Sequence, residues 1–257
     1  LKFQKSWFIL KPKPRKENEI LHPAKFPEDL VSDFIKFFTK EGATVLDPMV
    51  GTGSTLISCV QTGRNGIGIE LSEKYAEISR SRLEKLDIND LFSMNYKRVN
   101  ALLYVGDALN IDALNLKDID YCITSPPYWD MLREKGFETQ SIRKQRQLDV
   151  FYSNSIQDLG NISDYDEFLG RLVEIYLKVF KTLKYGAYIT IIVKNIKKKG
   201  KVYPLAWDLA RELGKYIELK DEKIWCQDDV KLAPYGYKNA WVSNTVHHYC
   251  LNFRKKK

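Results

Sequence analysis

The chain has 257 residues and carries 41 Lys+Arg against 33 Asp+Glu, a formal net charge of +8. Hydrophobic residues make up 44% and charged residues 29%, a composition that excludes disorder over most of the length and needs no disulfide or metal to complete a core. The basic balance points to a polyanionic partner, and no apolar run approaches the roughly 18 residues that would suggest a membrane span.

Cys59, Cys122, Cys226 and Cys250 stand apart with no CxxC pair, which disfavours a zinc ribbon or a redox dithiol. They read as buried thiols of a reducing cytosol. Three histidines leave little for a histidine metal site, so no metal is expected. The N-terminus has no signal-peptide pattern, and a cytoplasmic location is expected.

The first 25 residues read as an irregular basic arm, with Lys11 to Lys16 held extended by alternate prolines. Residues 26–257 read as a single domain. Pro27 to Lys40 has helical apolar spacing at Leu30, Val31, Phe34, Ile35 and Phe38. Ala43 to Asp47 reads as a strand, Ser54 to Thr62 as a helix stopped by Gly63, and Gly66 to Glu70 as a second strand. Ser72 starts a helix to about Leu86; Leu102 to Val105 and Ile119 to Thr124 are strands three and four. A long helix, Tyr165 to Leu183, precedes the strand Ala187 to Val193, and Pro204 to Gly214 is again helical. Two late strands, near 217–226 and 246–253, have no helix between them. The alternation predicts an α/β fold with a mostly parallel sheet, helices on both faces and an antiparallel terminal addition. Leu132 to Ser163 lacks periodicity and holds Arg143, Lys144 and Arg146, which marks it as a functional loop.

Asp47-Pro48-Met49-Val50-Gly51-Thr52-Gly53-Ser54-Thr55 joins the first strand to a helix. Gly51 and Gly53 permit a tight turn and close approach of a ligand to free helix N–H groups; a purely structural turn is the other reading. Glu70 ends the next strand, where a carboxylate can accept from two ribose hydroxyls. Asp47 would repel a pyrophosphate, and no GK[ST] follows, so a ligand with an amino or cationic end fits better. Asp107, after strand three, either accepts from an exocyclic amine or caps a helix.

Strand four runs into Ser125-Pro126-Pro127-Tyr128. Two prolines fix the backbone, leaving the Ser125 and Pro126 carbonyls as acceptors beside an aromatic face. That set suits a planar group bearing an NH2, such as a nucleobase. Trp129 and Asp130 either line this pocket or serve as core packing and a cap. The basic runs Lys11 to Lys16, Arg143 to Arg146, Lys197 to Lys201 and Arg254 to Lys257 are solvated faces or phosphate contacts. His247 and His248 alternate in and out on a late strand and read as core or surface.

These residues resemble the S-adenosylmethionine-dependent DNA amino-methyltransferases, the N4-cytosine type in particular. The family's DPFxGxGxT motif stands at Asp47 to Thr55, with Met49 in place of the usual Phe; its ribose acid matches Glu70, and its [SDN]PP[YFW] motif matches Ser125 to Tyr128. His22 to Pro27 is similar to the element that closes over the methionine end of the cofactor, and Val242 to Asn244 and Phe253 to Lys255 are softer matches. The resemblance implies a Rossmann-like class I methyltransferase fold with a seven-stranded sheet. It implies S-adenosyl-L-methionine held by Phe26, Pro27, Asp47, Pro48, Met49, Gly51, Gly53, Ser54, Thr55, Glu70, Leu71, Asp107 and Ala108. Catalysis would fall to Ser125, Pro126, Pro127 and Tyr128, and substrate binding to Trp129, Asp130, Arg143, Lys144 and Arg146. The implied partner is double-stranded DNA with a flipped-out base, alongside a restriction endonuclease counterpart. Serine at the head of the catalytic motif favours cytosine N4. N6-adenine methylation, RNA base methylation and a non-catalytic nucleic-acid-binding role are the alternatives. No large separate recognition domain is visible, so residues 132–163 would read the DNA.

Overall fold

The computed structural model describes residues 5–11, 27–90, 99–129, 158–198, 200–227, 234–237, 240–243 and 245–256. Strand β1 (Trp7–Ile9) precedes α1 (Glu28–Phe38), β2 (Thr44–Asp47), α2 (Ser54–Gln61), β3 (Asn65–Glu70), α3 (Glu73–Asp90), β4 (Ala101–Val105) and β5 (Ile119–Thr124). Then come α4 (Tyr165–Thr182), β6 (Leu183–Val193), β7 (Ile196–Lys198), β8 (Lys201–Tyr203), α5 (Leu205–Gly214), β9 (Glu218–Cys226), β10 (Pro234–Tyr237), β11 (Ala240–Ser243) and β12 (His247–Arg254). Eight strands form one sheet in the order β1-β9-β12-β6-β5-β2-β3-β4. Only β12 runs against its neighbours; the other pairs are parallel.

The apolar strands bury both faces, as parallel strands flanked by helices must. Val45, Tyr121, Ile123 and Ile192 pack with Leu30, Val31, Phe34 and Ile35 of α1. Their neighbours in sequence, Leu46, Cys122, Ile191 and Val193, point the other way and meet Phe168, Leu172, Ile175 and Leu209 of α4 and α5. Local chemistry agrees with the helix ends. Asp164 accepts the Glu167 N–H at 2.8 Å and starts α4. In α1, Glu28 and Asp29 sit in the first turn and Lys36 in the last, which suits the helix dipole.

The seven-stranded expectation falls one strand short. Trp7–Ile9 lies in the stretch read as irregular, yet it pairs parallel with β9. Phe8 is buried beside Phe34 at 6.4 Å, and the Trp225 indole N–H donates to the Leu10 carbonyl at 3.0 Å. A three-residue strand has no readable period, and its partners lie at the far end of the chain. Two other differences are of length: α3 continues to Asp90, and β6 begins at Leu183, bending through Gly186 at φ +81°. All four thiols are free; Cys59, Cys122 and Cys250 are buried as expected, whereas Cys226 is half-buried near the sheet edge. No helix among the described residues is long and apolar enough to cross a membrane.

The topology positions the site. From β2 the chain steps outward through β3 to β4, then returns to lay β5 on the other side of β2. The carboxyl ends of β2 and β5 thus flank the point where strand order reverses, the usual ligand crevice of an open α/β sheet.

Candidate active site

Leu46 pairs with Cys122, so the turns after Asp47 and Thr124 leave adjacent strands about 4.8 Å apart. On the β2 side, Asp47 is buried and works inward. One carboxylate oxygen accepts the Met49 N–H at 3.0 Å and the other the Thr55 hydroxyl at 2.6 Å. Burial raises its pKa to about 6, against the lowering effect of those bonds. Pro48 and Met49 continue the turn; Ser54 and Thr55 are buried at the start of α2. Gly51 and Gly53 have φ of +56° and +85°, the left-handed region open to glycine.

Gly53 also approaches α3 closely. A Cβ there would lie 2.2 Å from the Ser79 hydroxyl oxygen, a demand for glycine that the sequence did not show. Arg82, unremarked in the sequence, clamps the same turn: it donates to the Thr52 carbonyl and pairs with Glu28.

Glu70 stands at the end of β3. One carboxylate oxygen accepts the Gly51 N–H and the other the Ser72 N–H, both at 2.8 Å. Burial is the first cause that raises its pKa to about 7. A carboxylate has about four acceptor positions, so two oxygens fixed by backbone donors still have room for ligand hydroxyls. Leu71 follows it, half-buried. Asp107 takes the capping alternative: it accepts the Leu109 N–H at 2.9 Å and opens the 3-10 turn Ala108–Leu114, with Ala108 buried.

Asp158 was missed in the sequence because it sits in an aperiodic stretch. It is 4% exposed and caps the turn Leu159–Asn161 through one oxygen. Its other oxygen is buried with no hydrogen-bond donor among the described residues, and its charge acts on Glu70. A buried, unsatisfied carboxylate oxygen beside a second acid is costly without a donor. Together they fit a ligand that brings hydroxyl or cationic groups.

On the β5 side, Pro126 is buried and Ser125, Pro127 and Tyr128 are half-buried. The Tyr128 ring lies 6.2 Å from that of His248, and the Lys194 ammonium sits 5.2 Å from its centroid. Burial pushes the Tyr128 phenol up to about 12 and the Lys194 ammonium down. His248 is buried and stacked on Trp225 at 4.6 Å. Desolvation first, then Lys194, lowers its pKa to about 3, so it is a neutral core ring; half-buried His247 is its outward neighbour. Lys194 had no motif to announce it. Only the pairing of β6 with β5 brings it to Tyr128.

Trp129 does not line the crevice. It is 4% exposed, adopts φ +45°, and packs against Tyr203 at 4.8 Å and Tyr165 at 5.4 Å, which is the core-packing alternative. Pro27 is the N-cap of α1. Phe26, Asp130, Arg143, Lys144 and Arg146 lie outside the described residues, as do 22–25 and 132–157. The softer match at Phe253 to Lys255 lies far from the crevice: the Lys255 N–H donates to Ala187 at the start of β6.

Residues 1–81 match the family model described as DNA methylase, which bears out the resemblance to the DNA amino-methyltransferases. The chain is 40% identical over 83 residues to the type II methyltransferase M.BglI of Bacillus subtilis, covering 32% of this chain and 23% of that one. It is 26% identical over 166 residues to M.MjaII of Methanocaldococcus jannaschii, 64% of this chain and 28% of that one. Those matched segments span about a quarter of the relatives' length. Among solved structures, NSun6 from Pyrococcus horikoshii superposes with a TM-score of 0.54 at 13% identity, covering 91% of this chain and 53% of the other. An rRNA methylase from Streptococcus thermophilus gives 0.50 at 12% identity, covering 91% and 98%. These likenesses bear out the Rossmann-like fold.

Proposed function

We propose that this chain transfers a methyl group from S-adenosyl-L-methionine to the exocyclic N4 amine of a cytosine flipped out of double-stranded DNA. The observation that carries the reading is a juxtaposition. A glycine turn with acids at its rim, on β2 and β3, adjoins the Ser125-Pro126-Pro127-Tyr128 turn on β5. The match of residues 1–81 to the DNA methylase family model supports the DNA substrate.

Glu70 accepts the ribose hydroxyls, and Asp158 offers a further acceptor in the same crevice. Asp47 acts indirectly, holding the turn through Met49 and Thr55. When bound, the cofactor would supply an electrophilic methyl carbon on a sulfonium; the carbon–sulfur bond breaks as the nitrogen–carbon bond forms, S-adenosyl-L-homocysteine leaves, and the methylated amine gives up one proton to solvent. The carbonyls of Ser125 and Pro126 accept the amine hydrogens, which draws the nitrogen lone pair out of ring conjugation and stabilises its developing positive charge. Tyr128 stacks on the base. Alignment of donor and acceptor is worth as much as about 7–11 kcal/mol, against the few kcal/mol needed to unstack the base.

Labelled methyl transfer to duplex DNA, followed by mass spectrometry of the nucleosides, tests this. N4-methylcytosine is the expected product. N6-methyladenine would keep the mechanism and overturn the base assignment, and methylated RNA with unmodified DNA would overturn the substrate class.

A further inference from the structure

We infer that Lys194 holds the phosphate of the target nucleotide while its base stacks on Tyr128; this deepens the DNA reading above and rests on it. The charges of the crevice divide by strand. Asp47, Glu70 and Asp107 stand at or just past the carboxyl ends of β2, β3 and β4, and Asp158 acts on Glu70 from the turn before α4. Acids suit a cationic cofactor. The other half of the crevice begins at β5, and β6 lies beyond it. Lys194 directly follows the end of β6, with its ammonium 5.2 Å from the Tyr128 ring centroid.

The surroundings of Lys194 do not answer its charge. From the neighbouring elements it meets Tyr128, on the turn after β5, and His248, on β12. Both are uncharged, since burial pushes the phenol up to about 12 and the imidazole down to about 3. No carboxylate among the described residues pairs with Lys194, and burial alone lowers its pKa. A half-buried ammonium without a counterion is costly, and such a group in a crevice points to an anionic ligand. The Tyr128 face holds the cation in the free protein. S-adenosylmethionine also carries a carboxylate, but the turns that suit the cofactor lie on β2 and β3, with β5 between them and Lys194. A base stacked on Tyr128 brings its own phosphodiester to the ring that Lys194 faces.

Methyl transfer to unmethylated genomic DNA, which offers short sequences of every kind, tests the inference without a known recognition sequence. For the full chain, log(kcat/KM) should fall with log salt. Lys194→Met should flatten that slope by about 0.9, the share of one phosphate, with the loss carried by the KM for DNA rather than by kcat. Lys194→Gln should repeat the result and guards against misfolding of the first variant. Lys194→Arg should keep the slope steep. Calorimetry with S-adenosyl-L-homocysteine should give Lys194→Met the wild-type affinity. An unchanged slope in variants that keep the wild-type thermal unfolding midpoint overturns the assignment and leaves the DNA reading intact. The same unchanged slope with weakened S-adenosyl-L-homocysteine binding would also overturn it, giving the ammonium to the cofactor carboxylate. A wild-type chain that methylates no DNA overturns the DNA reading and this assignment with it.

Discussion

Glu70 shows how a residue that serves the fold can keep acceptor positions open for a proposed ligand. Its oxygens pin Gly51 and Ser72, while burial raises its pKa from 4.5 to about 7. The free protein therefore holds a proton there that the unfolded chain releases near its ordinary value. That contribution to stability is complete below the ordinary value and is lost as pH rises through about 7. The ionised form is the better acceptor for hydroxyls. Affinity for S-adenosylmethionine, measured by calorimetry, should rise as pH is taken through 7, and Glu70→Gln should abolish the rise. Tyr128 makes a different demand, since in the proposed reading its ring stacks on the base. Tyr128→Ala should lower turnover by about 10- to 100-fold, the equivalent of about 1–3 kcal/mol of stacking, with cofactor affinity largely unchanged. Turnover at the wild-type level would remove the stacking role. Both residues were legible in the sequence because each belongs to a spaced motif: Glu70 ends β3, and Tyr128 closes the turn that follows β5. Asp158 and Lys194 were not, because nothing near them in sequence marks them.

At the scale of elements, periodicity carried the reading where an element is long. Helices α1 and α4 declare themselves through buried residues on one stripe. The strands β7, β8, β10 and β11 span three or four residues each, too few to show a period, and were not anticipated. The glycine turn shows what a motif leaves out. Gly53 was legible as a position needing glycine, and the structure gives two internal reasons, its φ of +85° and its contact with α3. Gly53→Ala would put a methyl against Ser79 at a φ of +85°, so it should cost about 1–3 kcal/mol in urea unfolding. A change confined to cofactor affinity, with stability intact, would return the glycine requirement to the ligand.

For the whole molecule, the first strand is the least expected feature. The chain's opening residues reach β9 and cover Trp225 through the Leu10 carbonyl. Phe8 is 5% exposed, so Phe8→Ala should destabilise the protein by about 3–5 kcal/mol, read as a lowered urea midpoint. An unaffected midpoint would make the strand an accessory to the domain.

By itself the sequence determined the α/β alternation, the order of the strands along the chain and the two motifs, because these depend on local spacing and on residue chemistry. Tertiary structure decided what faces what. It turned Asp47 inward and made Asp107 a cap; it sank Trp129 into the core and set Lys194 over Tyr128. It set Lys255 at the end of the sheet opposite the crevice. Those outcomes follow from strand order and pairing between distant segments, which no local pattern encodes.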